Sequence, residues 1–135
     1  MAIRALDPAN DIDSVMEIWL SSNIDAHSFV PEDHWQAALP DVRDAIVAAQ
    51  TLVFEDAPGD IVGFIGCVDD QVEGMFVRAD RRSQGVGRML MDEAKTRHDI
   101  LELSVYLQNP RAFAFYKREG FDQHGMAMDA ATSKM

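Results

Sequence analysis

Apolar residues in the first part of the chain predict a short strand followed by a helix. Residues 3–6 suit an extended segment, and the turn-forming residues 7–10 follow them. The next apolar positions have the i, i+3, i+4 spacing of one helix face. They are Ile12, Val15, Met16, Trp19 and Leu20. Asp11 directly precedes this stripe, so the pattern predicts Asp11 as the residue that caps the helix.

A second helical region begins after residues 23–31, which interrupt the helical spacing. Pro40 lies inside that region and has no N–H to donate to the helix ladder. The sequence therefore predicts two helical pieces, residues 32–39 and residues 41–49, on either side of the proline.

The pattern changes to that of β-structure after residue 50. Residues 51–55, 61–68 and 71–77 predict three strands, separated by turns at residues 56–60 and 69–70. Such short connections favour an antiparallel meander. Strict alternation along the third strand predicts that Glu73 shares a face with Gln71 and Met75.

Helices and strands alternate in the last part of the chain. Helical spacing begins inside the glycine-containing segment 82–87 and continues to about Arg97. A strand over residues 100–107 follows. Asn109 and Pro110 then suit the start of a helix that ends at Gly120, before a last strand over residues 121–128. The element order predicts an α/β (α+β) fold with a single mixed, mostly antiparallel sheet flanked by helices, in one domain over residues 1–135.

The composition excludes several classes of protein. The 135 residues include 12 basic and 23 acidic side chains, which gives a net charge of -11 and argues against a nucleic-acid partner. No apolar run is long enough to span a membrane, and the first residues do not resemble a signal peptide. Cys67 is the one cysteine, so no internal disulfide is possible. We therefore expect a soluble, cytoplasmic protein.

Four arginines form an exception to the acidic composition. Arg78, Arg81, Arg82 and Arg88 lie within eleven residues whose one acid is Asp80, so four positive charges face one negative charge. This clustering has two interpretations: an anion site, or a solvated turn paired with acids elsewhere in the chain.

The segment 82–87 has the features of a phosphate-binding loop. The first N–H groups of a helix point outward without partners, and glycines let a phosphate approach the backbone. A dinucleotide loop would need a third glycine where Leu90 stands, and a nucleoside-triphosphate loop would need a lysine and a hydroxyl where Arg88 and Met89 stand. The segment matches a third pattern, [Q/R]-x-x-G-x-[G/A].

Downstream residues carry a family resemblance. Asn109, Tyr116, Gly120 and Phe121 form an N-x6-Y-x3-G-F pattern on the next strand–helix unit. Together with the glycine loop, this pattern resembles the GNAT superfamily of acyl-CoA-dependent N-acyltransferases. The resemblance covers residues 51–121 well, and the first fifty residues agree in element order.

The resemblance implies a binding site for acetyl-CoA as co-substrate. Backbone amides of residues 82–88 would hold the pyrophosphate, the strand segment 75–77 would pair with the pantetheine arm, and Asn109 would contact the pantetheine. The cofactor-binding candidates are therefore Met75, Phe76, Val77, Arg82, Ser83, Gln84, Gly85, Val86, Gly87, Arg88 and Asn109.

The resemblance also implies direct transfer of an acetyl group to a primary amine. Tyr116 matches the general acid of the family, and Glu73 is the candidate base. Ser104 stands where some relatives carry a catalytic glutamate, and His27 lies in a loop that would border the acceptor site. No histidine spacing suggests a metal, so we predict none.

The acceptor and the oligomeric state stay open at the level of sequence. A small amine, a polyamine, an aminoglycoside or a lysine side chain of a peptide would each suit an acidic protein. A non-catalytic acyl-CoA-binding regulatory module is the alternative to an enzyme. The family usually ends in two strands, and here one is convincing, so the last strand is either short, absent or supplied by the second subunit of a homodimer.

Overall fold

The structure, a computed structural model, describes residues 2–98, 101–103, 114, 115, 117 and 118. Its elements follow the predicted order. They are β1 (Ala2–Ala5), α1 (Pro8–Ala26), α2 (Glu32–Ala48), β2 (Gln50–Ala57), β3 (Asp60–Val68), β4 (Gln71–Val77), a 3-10 turn (Ala79–Arg81), α3 (Val86–Thr96) and β5 (Glu102–Leu103).

One sheet in the order β1-β2-β3-β4-β5 organises these elements. The first four strands pair antiparallel with their neighbours, whereas β5 pairs parallel to β4 through Gln71 with Glu102 and Val72 with Leu103. The predicted mixed, mostly antiparallel sheet is thus confirmed. No helix in the described part of the chain is long and apolar enough to cross a membrane.

Each face of the sheet is covered by a separate hydrophobic core. The face toward α3 includes Phe54, Ile65, Leu90 and Met91, which are almost fully buried. The face toward α1 and α2 includes Val15, Ile46, Val53 and Phe64. Burying one such side chain contributes about 1.5–3 kcal/mol, so the two cores hold the helices on the sheet.

The start of α1 differs from the sequence prediction. Asp7 caps the helix by accepting a hydrogen bond from the Ala9 N–H, and Pro8 occupies the first helical position. Residues 7–10 therefore begin the helix rather than form a separate turn. The assignment of Asp11 as the cap was wrong, because its side chain is buried and binds Arg4 instead.

The end of α1 and the interior of α2 differ from two further predictions. The first helix continues through Asn23, whose side-chain amide donates to the Trp19 carbonyl, and ends at Ala26. The second helix is continuous through Pro40, which was expected to divide it. Residues beyond the proline, such as Ile46, pack on the sheet, and this tertiary packing offsets the hydrogen bond that Pro40 cannot donate.

An ion-pair network joins β1, α1 and β2. Arg4 donates from Nη1 to Asp11 Oδ2 over 2.6 Å and from Nη2 to Asp11 Oδ1 over 3.0 Å. The same guanidinium reaches both carboxylate oxygens of Glu55. The hydrogen bonds from Arg4 hold the pKa of Asp11 below its usual range. The carboxylate is only 3% exposed, so its charge depends on this partner.

Replacement of Arg4 by methionine tests the network. Arg4→Met leaves the buried Asp11 carboxylate without its cation, and we expect the free energy of unfolding in urea to fall by about 2 kcal/mol at neutral pH. Arg43→Met removes an exposed arginine of α2 and is the control. It should change the free energy of unfolding by less than about 0.5 kcal/mol.

The same pair should give a pH signature. The pKa of Asp11 is lower in the folded state than its ordinary value of 3.8. The stabilisation from its ion pair with Arg4 is therefore present above pH 3.8, and it is lost as the pH falls toward the folded-state pKa. The stability gap between the native chain and Arg4→Met should therefore narrow on acidification. A gap that widens in acid would contradict this account.

Candidate functional site

The N-terminus of α3 is built to leave backbone amides available. Gly85 occupies the N-cap position with φ 87°, in the left-handed region that favours glycine, and no side chain of the described residues caps the helix. The first helical N–H groups have no acceptor within the helix, and the helix dipole adds partial positive charge there. Val86 is buried below, which fixes this end of the helix on the sheet. The geometry is that of an anion-binding turn.

Gly87 lies where backbone and sheet approach closely. A Cβ added there would come within 3.3 Å of the Met75 Cε and 3.7 Å of both the Val77 Cγ2 and the Phe115 ring. The absence of a side chain therefore lets the first turn of α3 sit beside the end of β4. Ser83, with φ 64°, adds a second left-handed residue to the loop.

The arginine cluster divides into two functional halves. Arg78 pairs with Asp60 at 2.9 Å and with Asp80 at 2.6 Å, and Arg81 pairs with Asp56 at 2.7 Å. These two arginines thus hold turns together, as one of the two sequence interpretations stated. Arg82 and Arg88 are exposed and form no ion pair within the described residues, so their charges are available to a bound anion.

Arg82 connects three elements around the loop. Its Nε donates to the Val77 carbonyl at 3.3 Å, and its Nη2 donates to the Ser22 hydroxyl at 3.4 Å. Ser22 is a buried residue of α1. The contact spans sixty positions in the chain, and no local sequence signal could have predicted it.

The outer edge of β4 is open beside this loop. The Arg78 N–H donates to Val62 on β3. Neighbouring peptides in a strand face opposite sides, so Val77 and Met75 direct their backbone groups away from β3. On that side the described part of β5 pairs only with Gln71 and Val72. Residues 75–77, predicted as part of the site, therefore form a strand edge without a strand partner among the described residues.

A cavity of about 240 Å³ lies on the opposite side of β4, between the sheet and the helices α1 and α2. Aromatic rings and small residues share its lining. The lining residues are Trp19, Val42, Ala45, Ile46, Ala49, Thr51, Phe64, Gly66, Val68, Glu73, Gly74 and Phe76. Glu73 is the one ionisable side chain among them.

A β-bulge determines how Glu73 reaches this cavity. The pairing of Gly66 with Gly74 is followed directly by that of Cys67 with Val72, so Glu73 is an extra residue on β4. Val72 and Met75 both pack toward α3, whereas Glu73 borders the cavity on the other face. The predicted common face for Glu73 and Met75 was wrong, because the bulge interrupts the alternation.

Cys67 lies in the core beside β4. Its thiol is buried, and burial raises its pKa, with a smaller contribution from the negative charge of Glu73. A thiol with a raised pKa carries little nucleophilic thiolate at neutral pH. This favours chemistry without a covalent enzyme intermediate.

Several predicted residues lie outside the described part of the chain. Asn109, Tyr116 and Ser104 belong to this group, so their roles stay predictions. His27 ends α1, where it contacts Trp35 and Phe29 rather than the cavity. Within the described residues, no group of three or more His, Cys, Asp or Glu side chains could hold a metal ion.

Comparisons with known sequences identify the family of this chain. The profile of the acetyltransferase (GNAT) domain matches residues 47–123, more than half of the chain. The peptidyl-lysine N-acetyltransferase YiaC of Escherichia coli is 34% identical over 114 residues, covering 83% of this chain and 77% of the relative. The peptidyl-lysine N-acetyltransferase YjaB of Salmonella typhimurium is 31% identical, covering 84% of this chain and 78% of the relative.

Solved structures share the fold. The solution structure of apo-form YjaB from Escherichia coli has a TM-score of 0.78 at 27% identity and covers 92% of this chain and 84% of that one. The PaiA N-acetyltransferase of Thermoplasma acidophilum, solved with coenzyme A, has a TM-score of 0.72 at 20% identity, with 93% of each chain covered. The residues that the GNAT domain profile matches include the glycine loop, β4 and α3. The chain therefore belongs to the GNAT family of acetyltransferases, and it is an N-acetyltransferase.

Proposed function

We propose that the protein transfers the acetyl group of acetyl-CoA to lysine side chains of polypeptides. The observation that carries the proposal is the uncapped N-terminus of α3, with Gly85 in the left-handed conformation, beside the open edge of β4. The names of the two relatives, both peptidyl-lysine N-acetyltransferases, support lysine as the acceptor.

The loop and the strand edge provide complementary contacts for coenzyme A. Amides of residues 82–88 would bind the pyrophosphate, with Arg82 and Arg88 adding positive charge. The backbone groups of Met75 and Val77 would pair with the pantetheine amides as a further strand would. Val77 is four positions along the strand from Glu73, about 13 Å, so the thioester would lie near the bulge and the cavity.

The cavity suits the acceptor side chain. A lysine has a flexible four-carbon stem and a charged end, and the lining offers apolar walls with one carboxylate. The stem would contact rings such as Trp19 and Phe76, while the ammonium group would meet Glu73. Small residues, including Ala45 and Gly74, leave the space that such a side chain requires.

The proposed reaction is direct attack of the amine on the thioester. The ammonium group first loses a proton to Glu73 or to a water next to it, because only the neutral amine has a lone pair. The C–N bond then forms and the thioester oxygen gains negative charge. As the C–S bond breaks, the carbonyl re-forms and the nitrogen loses its second proton to water, which leaves a neutral amide. Tyr116 donates a proton to the departing thiolate.

Two matched glycine variants test the binding loop. Gly85→Ala and Gly59→Ala each force alanine into the left-handed region, since Gly59 has φ 81° in the β2–β3 turn. Each should lower the free energy of unfolding by about 1 kcal/mol. Only Gly85→Ala should weaken coenzyme A binding, by about tenfold in titration calorimetry. If both variants bind coenzyme A with equal affinity, the loop is not part of the binding site.

Tyr116→Phe tests the general acid. With acetyl-CoA and a lysine-containing peptide, we expect kcat to fall by about 10²-fold, while the Kd for coenzyme A stays unchanged. Thiol release and the peptide mass measure the reaction. Full activity would disprove the acid role.

Glu73→Gln tests the base against a nearby charge control. It should lower kcat/KM for the lysine peptide by about 10²-fold near neutral pH and leave the KM for acetyl-CoA unchanged. Asp69→Asn removes a carboxylate from the adjacent turn, where its φ of 53° also suits asparagine, and should change neither value. The base assignment is wrong if both variants lose the same activity.

A further inference from the structure

Five aromatic side chains meet where α1 and α2 join. Trp35 is central: its ring centroid lies 6.0 Å from that of Trp19, 5.4 Å from that of His27 and 4.9 Å from that of His34. Phe29 packs edge-on against His27 at 6.0 Å. We call these five residues the aromatic cluster. The Nε1 of Trp35 is buried and has no hydrogen-bond partner in the described residues, so packing holds this ring.

The outer part of the cluster is open to solvent, and its inner part is continuous with the cavity. Phe29 is 82% exposed, the largest value among the exposed hydrophobic side chains of the described residues. At the other end, Trp19 lines the cavity beside β4. Most ring pairs in the cluster pack edge to face, and that of His27 and Trp35 is tilted. An exposed phenyl ring that leads through such packed rings to a cavity is typical of a surface that contacts a larger ligand.

The two helices around the cluster, with the loop between them, carry most of the net negative charge of the protein. Residues 8–48 contain eight acidic side chains and one basic side chain, Arg43, a balance of -7 in a chain of net charge -11. Asp11 is buried against Arg4. The other seven are exposed and form no ion pair within the described residues: Asp13, Glu17, Asp25, Glu32, Asp33, Asp41 and Asp44. Strand and turn acids such as Asp56 and Asp60, in contrast, bind arginines.

We propose that the aromatic cluster and the first turn of α2 dock an arginine- or lysine-rich segment of the substrate polypeptide. This inference rests on the proposed function, because the docked segment would flank the lysine that enters the cavity. Guanidinium groups stack on aromatic faces and are attracted by the unpaired carboxylates of Glu32 and Asp33. A second copy of this chain would bring the same acidic helices and be repelled.

Tryptophan fluorescence measures docking independently of catalysis. Trp19 and Trp35 are the two tryptophans of the chain, and both belong to the cluster. We expect an arginine-rich peptide without lysine to change this fluorescence saturably, and to bind more weakly as the salt concentration rises. A peptide of equal length with glutamate in place of arginine should give no change.

Matched variants locate the binding surface. Phe29→Ser should lower the affinity for the arginine peptide roughly threefold. Val47→Ser, at an exposed valine of α2, should leave this affinity unchanged. Glu32→Gln combined with Asp33→Asn should weaken it roughly tenfold. Asp92→Asn combined with Glu93→Gln removes an equal charge from α3, on the other face of the sheet, and should leave the affinity unchanged.

Acetylation assays separate this inference from the proposed function. We expect basic residues beside the acceptor lysine to raise kcat/KM about tenfold, with the preference lost in the Glu32/Asp33 variant and the activity on free lysine unchanged. Acetylation that ignores the flanking residues, together with silent fluorescence, would overturn docking and leave the function intact. Peptide binding with no acetylation of any lysine would overturn the proposed function and leave the docking surface intact. A fluorescence change with protein concentration alone would make a second copy the occupant and overturn the proposal.

Discussion

The open edge of β4 is the constraint on which the arrangement of the site depends. Backbone N–H and C=O groups in a strand need partners, and β5 provides them only at Gln71 and Val72 in the described residues. At Val77 the backbone carbonyl accepts a hydrogen bond from the side chain of Arg82 instead. An edge of this kind is a template for an extended ligand, and the glycine loop lies at the end from which such a ligand would enter.

In the described part of the chain, positive and negative charges without ion pairs lie on different parts of the protein. Arginines near the strands are mostly engaged: Arg4, Arg78 and Arg81 each bind carboxylates from distant parts of the chain. Within the described residues, the loop holds two exposed arginines without ion pairs, Arg82 and Arg88, whereas α1 and α2 carry seven exposed carboxylates without ion pairs against one arginine, Arg43. A polyanionic co-substrate and a cationic acceptor are therefore favoured on different surfaces, which meet only around β4.

The element order was predictable because it depends on local patterns, such as helical spacing after Gly85 and alternation in the meander. The errors arose where distant contacts outweigh local preference. The local pattern favours Asp11 as a cap, but its side chain binds Arg4 instead. It favours a break at Pro40, but the packing of Ile46 on the sheet keeps the helix continuous. The cavity could not be predicted at all, since its lining combines two helices and three strands whose relative placement is a tertiary property.

The bulge in β4 explains why strict alternation along the strand predicts the wrong face for Glu73. Without the extra residue, alternation would direct Glu73 toward the core of α3, beside Met75, where a carboxylate would be costly to bury. With it, the carboxylate borders the cavity while Val72 and Met75 still fill the core. The register shift thus separates the packing requirement of the strand from the position of its one acid. A β-bulge commonly redirects a side chain in this way, which a period-two pattern cannot anticipate.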